Sequence, residues 1–303
     1  MGNSVASGDC VSRRRSAPLE SFSSAITPFD LKSFHQALDS WLAAWHMETT
    51  PPWLVGWYNN SRDQTANGVQ KLEFDDSAVA FAIYTVPKYL DVVTEHFLRS
   101  KPDGNFVDAA TNEILELLQP KLSSDLEAVL INTDVGPPYY HVQSIGAISG
   151  MDHHLEDKDI DDLEWCEELR DDLEDSRDPK MWGTDSATRR KIFGVNIHPK
   201  YGGWYAYRLL LVLRRVTNNM LLVPLEQPPP LKFLDQENSK RILREYNLQH
   251  DRCIWRDLCD THPASLRYTP EEYFYFTETQ PAKRKRFLEV KSSHFTATPK
   301  LRG

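Results

Sequence analysis

The stretch GVNIHPKYGGWYAYRLLLVL, residues 194–213, carries most of what the chain discloses about its fold. Residues 191–198 and 204–213 read as two β-strands flanking a turn that holds Pro199 and the pair Gly202-Gly203. Glycine tolerates positive φ and leaves room for close backbone approach, so the pair serves either a plain turn or the face of a flat ligand. Arg208 is the discordant residue. A guanidinium heading the apolar run Leu209-Leu-Leu-Val-Leu213 cannot be buried unpaired without a large desolvation cost. It calls for an internal Asp or Glu, or for an anionic ligand. Arg256, in Ile254-Trp-Arg-Asp257, poses the same question with Asp257 as its local partner. Several arginines around one pocket would suit bidentate capture of carboxylates.

Working outward, residues 78–86 are almost wholly apolar and predict a strand covered on both faces. Residues 53–58, 127–133 and 142–149 predict further strands, and 87–98 and 107–118 predict helices. Thr27-Pro-Phe-Asp30 offers a cap, a first-turn proline and a carboxylate three residues on. It opens a helix with Leu31, Phe34, Leu38, Trp41, Leu42 and Trp45 on one face. After the stiff connector Pro228-Pro-Pro230 comes a helix over 236–246, and Thr269-Pro-Glu-Glu272 repeats the capping logic before an aromatic-rich helix. This interleaving predicts one mixed α/β or α+β domain over 27–290, with a disordered tail at 1–26 and a flexible one at 291–303.

Composition excludes several classes. Of 303 residues 40% are apolar and 26% charged, which is unlike a disordered or collagen-like chain. No apolar run approaches the roughly 20 residues of a spanning helix, and the first 25 residues lack the apolar core of a secretory signal. The opening MGNSVAS nearly fits an N-myristoylation signal, with Ala6 where Ser or Thr is wanted. Cys10, Cys166, Cys253 and Cys259 form no zinc-type pairs, so a reduced, intracellular chain is expected. Phosphate loops, dinucleotide fingerprints and HExxH are absent, and GAISG at 146–150 is out of step with a nucleophile elbow.

The formal charge is -9, but residues 152–178 hold 14 acids against Lys158, Arg170 and Arg177. That local -11 leaves +2 elsewhere, so residues 152–182 read as an acidic insertion and are expected to form a solvated flap. Asp152-His153-His154, with Glu156 and Asp157, reads as part of that solvated loop and not as a metal centre, because adjacent side chains diverge. The basic run 283–286 has no interleaved aromatic surface, so nucleic acid is not an expected partner.

GVNIHPKYGGWYAYR resembles the hallmark segment of the methylmalonic aciduria and homocystinuria type C family of cobalamin-processing proteins. Further blocks run in the same order: GWYN at 56–59, AVAFAIYTVPKYLDVV from 78, QSIGAISG at 143–150, then WRD at 255–257, TPEEYFYF from 269 and PAKR at 281–284. The resemblance covers about residues 50–290. It implies a nitroreductase-like α+β fold, a single large domain with a mixed sheet and flanking helices. It further implies base-off binding of cobalamin and removal of its upper axial ligand by two routes. One is decyanation with electrons from a reduced flavin (FMN or FAD, fed by NADPH); the other is alkyl transfer to glutathione.

By the same resemblance Arg208, Arg256 and Arg284 would grip the glutathione carboxylates. Asp134, Tyr140, His141, Val142, Gln143, His154, Leu155, Glu156, Asn196 and Tyr207 would line the corrin. A cytoplasmic location and a downstream delivery adaptor are also implied. The chain departs from the family pattern at Ala147, where relatives carry His, at His153-His154 in place of consecutive tyrosines, and at Asn196 in place of Cys. A non-catalytic cobalamin chaperone and a plain flavin-dependent reductase are the competing readings.

Overall fold

The computed structural model describes residues 28–61, 70–97, 106–133, 140–258, 262–278 and 280–297. Its strands are β1 (Met47–Thr49), β2 (Trp53–Leu54), β3 (Ala78–Thr85), β4 (Ala128–Asn132), β5 (His153–Leu155), β6 (Val195–Ile197) and β7 (Ala206–Thr217). β3 and β7 form the centre of the main sheet, with β4 on the far side of β7 and both β1 and β2 on the far side of β3. β5 and β6 make a separate two-stranded sheet. Every strand pair is antiparallel, so the expected mixed sheet is replaced by an antiparallel one. The parallel pairing among the described residues is the bridge Phe29–Leu221.

All eight residues of β3 are buried, as its sequence predicts. Strand alternation divides them between two cores. Val79, Phe81 and Ile83 face a core built with α1 (Leu31–Leu42), α3 (Tyr89–Phe97) and α4 (Phe106–Leu118). Ala78, Ala80, Ala82 and Tyr84 face a second core, against α2 (Val55–Asn59) and α5 (Val142–Ile148). β7 obeys the same rule until its register with β3 slips between Ile83–Leu209 and Tyr84–Tyr207. Arg208 is the extra residue, a β-bulge. Leu209, Leu211 and Leu213 face the first core, where regular alternation would also send Tyr207; the bulge turns Tyr207 into the second.

A third core joins α6 (Leu163–Ser176) to α9 (Gln236–Leu248) through Cys166, Leu169, Leu173, Ile242 and Leu243, over Leu155, Val195 and Ile197 of the small sheet. The acidic segment is therefore a packed amphipathic helix and not a solvated flap. Its outer carboxylates are met by cations. Arg190 bonds Glu167 at 2.8 Å and also Asp171, Arg189 bonds Glu174 at 3.0 Å, and Lys240 bonds Asp162 at 2.8 Å. Two single turns, α7 (Pro179–Trp182) and α8 (Ser186–Arg189), lead from it to β6.

Local expectations fail where an apolar run is short. Residues 142–148 form α5, with Val142, Ile145 and Ile148 at helical spacing, although an apolar run this short fits a strand equally well from sequence. The strand expected over 53–58 stops at Leu54 and continues as α2. The cap of α1 is Asp30, which accepts from Ser33 N at 3.0 Å, and not Thr27, which lies outside the described residues. The second capping box stands: Thr269 and Glu272 cap α10 (Pro270–Thr277) reciprocally. Glu272 also accepts the backbone N–H groups of Lys88 and Leu90, which fixes α10 to the start of α3. α11 (Pro281–Ala297) continues past the boundary set at 290. No described helix is long and apolar enough to cross a membrane.

Candidate functional site

The hairpin between β6 and β7 is closed by paired backbone hydrogen bonds between His198 and Gly202, each 2.8 Å. His198 Nδ1 accepts from the N–H groups of Lys200 and Tyr201, and burial lowers the imidazole to about 4, so it acts as a neutral turn staple. Gly202 has φ +59°, and a β-carbon there would lie 2.0 Å from the carbonyl oxygen of Arg256. One on Gly203 would lie 2.5 Å from the Trp255 ring. Gly203 N–H donates to the Arg256 carbonyl at 2.8 Å, and the Arg256 guanidinium donates back to the Gly203 carbonyl. The glycine pair thus makes room for the Trp255-Arg256 turn, and Gly203 also borders the cleft beside it.

Three arginines meet one aromatic cluster. Arg256 lies 4.5 Å from the centre of the Trp255 ring and 5.7 Å from that of Tyr268. Tyr268 packs on Phe276 at 5.0 Å, Arg208 sits 5.7 Å from Phe276, and Arg284 sits 5.8 Å from the neighbouring Tyr275. Asp257 is not the counterion of Arg256: it binds Arg267 at 2.7 Å and Trp204 Nε1 at 2.8 Å. Neither Arg256 nor Arg284 has a carboxylate partner among the described residues, and the Nε of each is buried without a hydrogen bond. Guanidiniums stacked on rings with donors unspent are equipped to receive carboxylates.

Beside Arg256 opens a cleft of about 230 Å³ whose walls include Val142, Gln143, Asn196, Gly203, Tyr205 and Tyr207. Behind it lies Asp152, 1% exposed. Its Oδ2 accepts from Tyr205 (2.6 Å), Tyr207 and Asn196 Nδ2 (3.0 Å). Gly146 makes this possible, since a β-carbon would fall 2.1 Å from Asp152 Oδ2 and 2.0 Å from the Tyr207 hydroxyl. Burial raises the Asp152 carboxyl to about 6. Asp152 was expected in a solvated loop; its acidic sequence neighbours suggest water, while its burial depends on strands far along the chain. The signal that could have revealed it is the pair Tyr205 and Tyr207, whose spacing puts two hydroxyls on one strand face.

The other expected corrin contacts scatter around this cleft. His154 Nδ1 donates to Asn196 Oδ1 (2.6 Å), and the ring lies 3.6 Å from Glu156, which His154 and Lys158 hold down to about 2. Tyr140 packs on the second core, and His141 Nδ1 bonds Ser144 Oγ at 2.7 Å. Leu155 instead fills the third core. Asp134 lies outside the described residues. His153, also expected in water, is buried against Phe233 with its rings 5.6 Å apart. No group of three or more potential metal ligands occurs among the described residues. A larger hollow of about 500 Å³ lies between Phe29 and the 221–226 segment, but none of the motif residues reaches it.

A chicken (Gallus gallus) protein named cyanocobalamin reductase / alkylcobalamin dealkylase is 28% identical over 242 residues, covering 77% of this chain and 87% of that one. The human protein of that name is 25% identical over 251 residues, with 77% and 73% covered. The crystal structure of a C. elegans B12-trafficking protein, CblC, superposes with a TM-score of 0.55 at 20% identity, covering 85% of this chain and 94% of that one. The sequence profile of one family matches residues 47–288. With the hairpin, the glycine pair and the arginines all inside that span, the chain belongs to the methylmalonic aciduria and homocystinuria type C family.

Proposed function

We propose that this protein is a cobalamin-processing enzyme that removes the upper axial ligand, by reductive decyanation of cyanocobalamin and by glutathione-dependent dealkylation of alkylcobalamins. Family membership and the names of its relatives support cobalamin processing. One observation supports the glutathione route above the others: Arg256, with a buried donor unspent, borders the same cleft as Tyr207 and Asn196. A corrin is larger than this 230 Å³ cleft, so it would be held along an edge, where Gln143, Asn196 and the two phenols offer hydrogen bonds to its amide side chains. Arg208, Arg256 and Arg284 would orient the peptide through its carboxylates and bring its sulfur in line with the cobalt–carbon bond. A reduced flavin, FMN or FAD, would supply the electrons for decyanation. The reading carries with it a nitroreductase-like assignment of the antiparallel sheet, a cytoplasmic location and hand-over to a delivery adaptor.

The test is spectroscopic. Purified protein mixed with cyanocobalamin and reduced flavin, or with methylcobalamin and glutathione, should shift the cobalamin spectrum to base-off and then lose the upper ligand. A base-off shift without ligand loss would identify a chaperone, and no shift would identify a plain flavin reductase. Arg208→Ala should raise the glutathione KM for dealkylation about tenfold, roughly the value of one charge-assisted bond, and weaken cobalamin binding less. Equal loss of both would remove the arginine assignment.

A further inference from the structure

We propose that Asp152 takes up, through the phenols of Tyr205 and Tyr207, the proton that the cosubstrate thiol loses when its sulfur attacks the upper alkyl group. The inference rests on the glutathione reading above and assigns that reaction its proton acceptor.

The site is built for a carboxylate that can change its charge. A purely structural acid would have both oxygens satisfied. Here Oδ2 accepts all three side-chain hydrogen bonds, while Oδ1 is buried with no partner among the described residues. The donors are neutral: two phenols from the β7 segment and the Asn196 amide from β6. His154 on β5 acts from behind Asn196, Tyr84 on β3 contacts both phenol rings, and Glu48 on β1 bonds Tyr84 from the other side. From α5 comes Gly146, whose missing side chain leaves the space in which the carboxylate and the Tyr207 hydroxyl meet. None of the groups bonded to Asp152 is a cation, and the three hydrogen bonds that favour the charged carboxylate are outweighed by its burial. Burial raises the group to about 6, which leaves it ionised at neutral pH yet close to taking a proton.

Tyr205 and Tyr207 both border the cleft that Arg256 shares, so they connect the buried carboxylate to whatever the arginine holds. The proton balance is as follows. The thiol S–H bond breaks and its proton passes to a phenol oxygen while that phenol's own proton passes to Asp152 Oδ2. The sulfur electron pair forms the S–C bond, the Co–C bond breaks, and its pair stays on cobalt, which is reduced by two electrons. Asp152 is left neutral and later releases the proton to solvent. At pH 7 only a few per cent of an ordinary thiol is ionised, so a local acceptor is of value.

The experiment follows methylcobalamin demethylation by glutathione from pH 5 to 9, with flavin-driven decyanation on the same preparations as the reference reaction. In the wild type, kcat for transfer should rise through about pH 6 and level off. Asp152→Asn keeps the size and the hydrogen bonds but cannot take the proton. Its transfer should lose the inflection near 6, climb with pH toward the ionisation of the free thiol, and fall at least tenfold relative to decyanation at pH 7. The glutathione KM should stay within twofold. Tyr207→Phe should move the profile in the same direction, and it decides the matter if Asp152→Asn does not fold. A wild-type profile retained in the variants overturns the role of Asp152 and leaves the glutathione reading intact. Decyanation without any glutathione-dependent transfer in the wild type overturns that reading, and the proton acceptor with it.

Discussion

At Gly202 the backbone adopts φ +59° and a β-carbon would fall 2.0 Å from a carbonyl oxygen, so two independent penalties meet at one position. Left-handed geometry costs a non-glycine residue about 1 kcal/mol or more, and the clash is with backbone that cannot rotate away. Gly202→Ala should therefore lower unfolding stability by about 3–5 kcal/mol, a size reserved for such defined defects. Denaturant titration would show it, and a loss below about 1 kcal/mol would mean that the Trp255-Arg256 turn yields. Asp152 makes a different kind of demand. Its carboxyl stands at about 6 against an ordinary 3.8. Between those values the folded protein holds a proton that the unfolded chain has released. The group thus favours folding fully below about pH 4, and that contribution is lost as the pH rises through 6. Two pH units correspond to about 3 kcal/mol. Relative to Asp152→Asn, the wild type should lose on that order of stability between pH 4 and 7.5. A pH-independent difference between the two would refute the proton assignment.

Among the elements, α6 is the one whose character changed most between sequence and structure. Its outward residues are so acidic that the composition of residues 152–178 suggests water on every side. Yet Cys166, Leu169 and Leu173 recur at intervals of three and four and are at most 2% exposed. Leu169→Ala should cost about 2–5 kcal/mol, as for other large-to-small changes in packed cores. A change under 1 kcal/mol would restore the solvated reading. Strands with long uniform patterns, such as β3 and β7, were legible because each residue contributes to the signal. The seven-residue α5 was not, since four apolar positions fit strand and helix alike. The capping box of α10 was legible because all its partners are within four residues. That Glu272 also holds the start of α3 was not, because those partners lie more than 180 positions away.

At the scale of the molecule, the order of motifs along the chain was enough for the α+β class, and the three arginines were singled out before their shared aromatic cluster was visible. What sequence withheld was contact between distant segments. Gly146, Asp152, Asn196 and Tyr207 come from four separate elements or their flanks, and nothing in any one of those segments announces the others. The net charge of -9 likewise comes from residues 152–178, half of whose 14 acids lie on α6, several of them answered by Arg189 and Arg190.

The extra residue in β7 has a consequence of its own. Leu209 onward and Tyr207 backward belong to opposite phases of one pleat, and the change of phase occurs at Arg208. Deleting Arg208 would leave Tyr207 and Leu209 as consecutive residues in plain alternation, which keeps Tyr207 on the side of Asp152 and Leu209 in the first core while removing the guanidinium. A one-residue deletion here should accordingly be tolerated by the sheet and should leave the pair Tyr207 and Asp152 in place, so that it separates the arginine from the phenols more cleanly than any change at the phenols themselves.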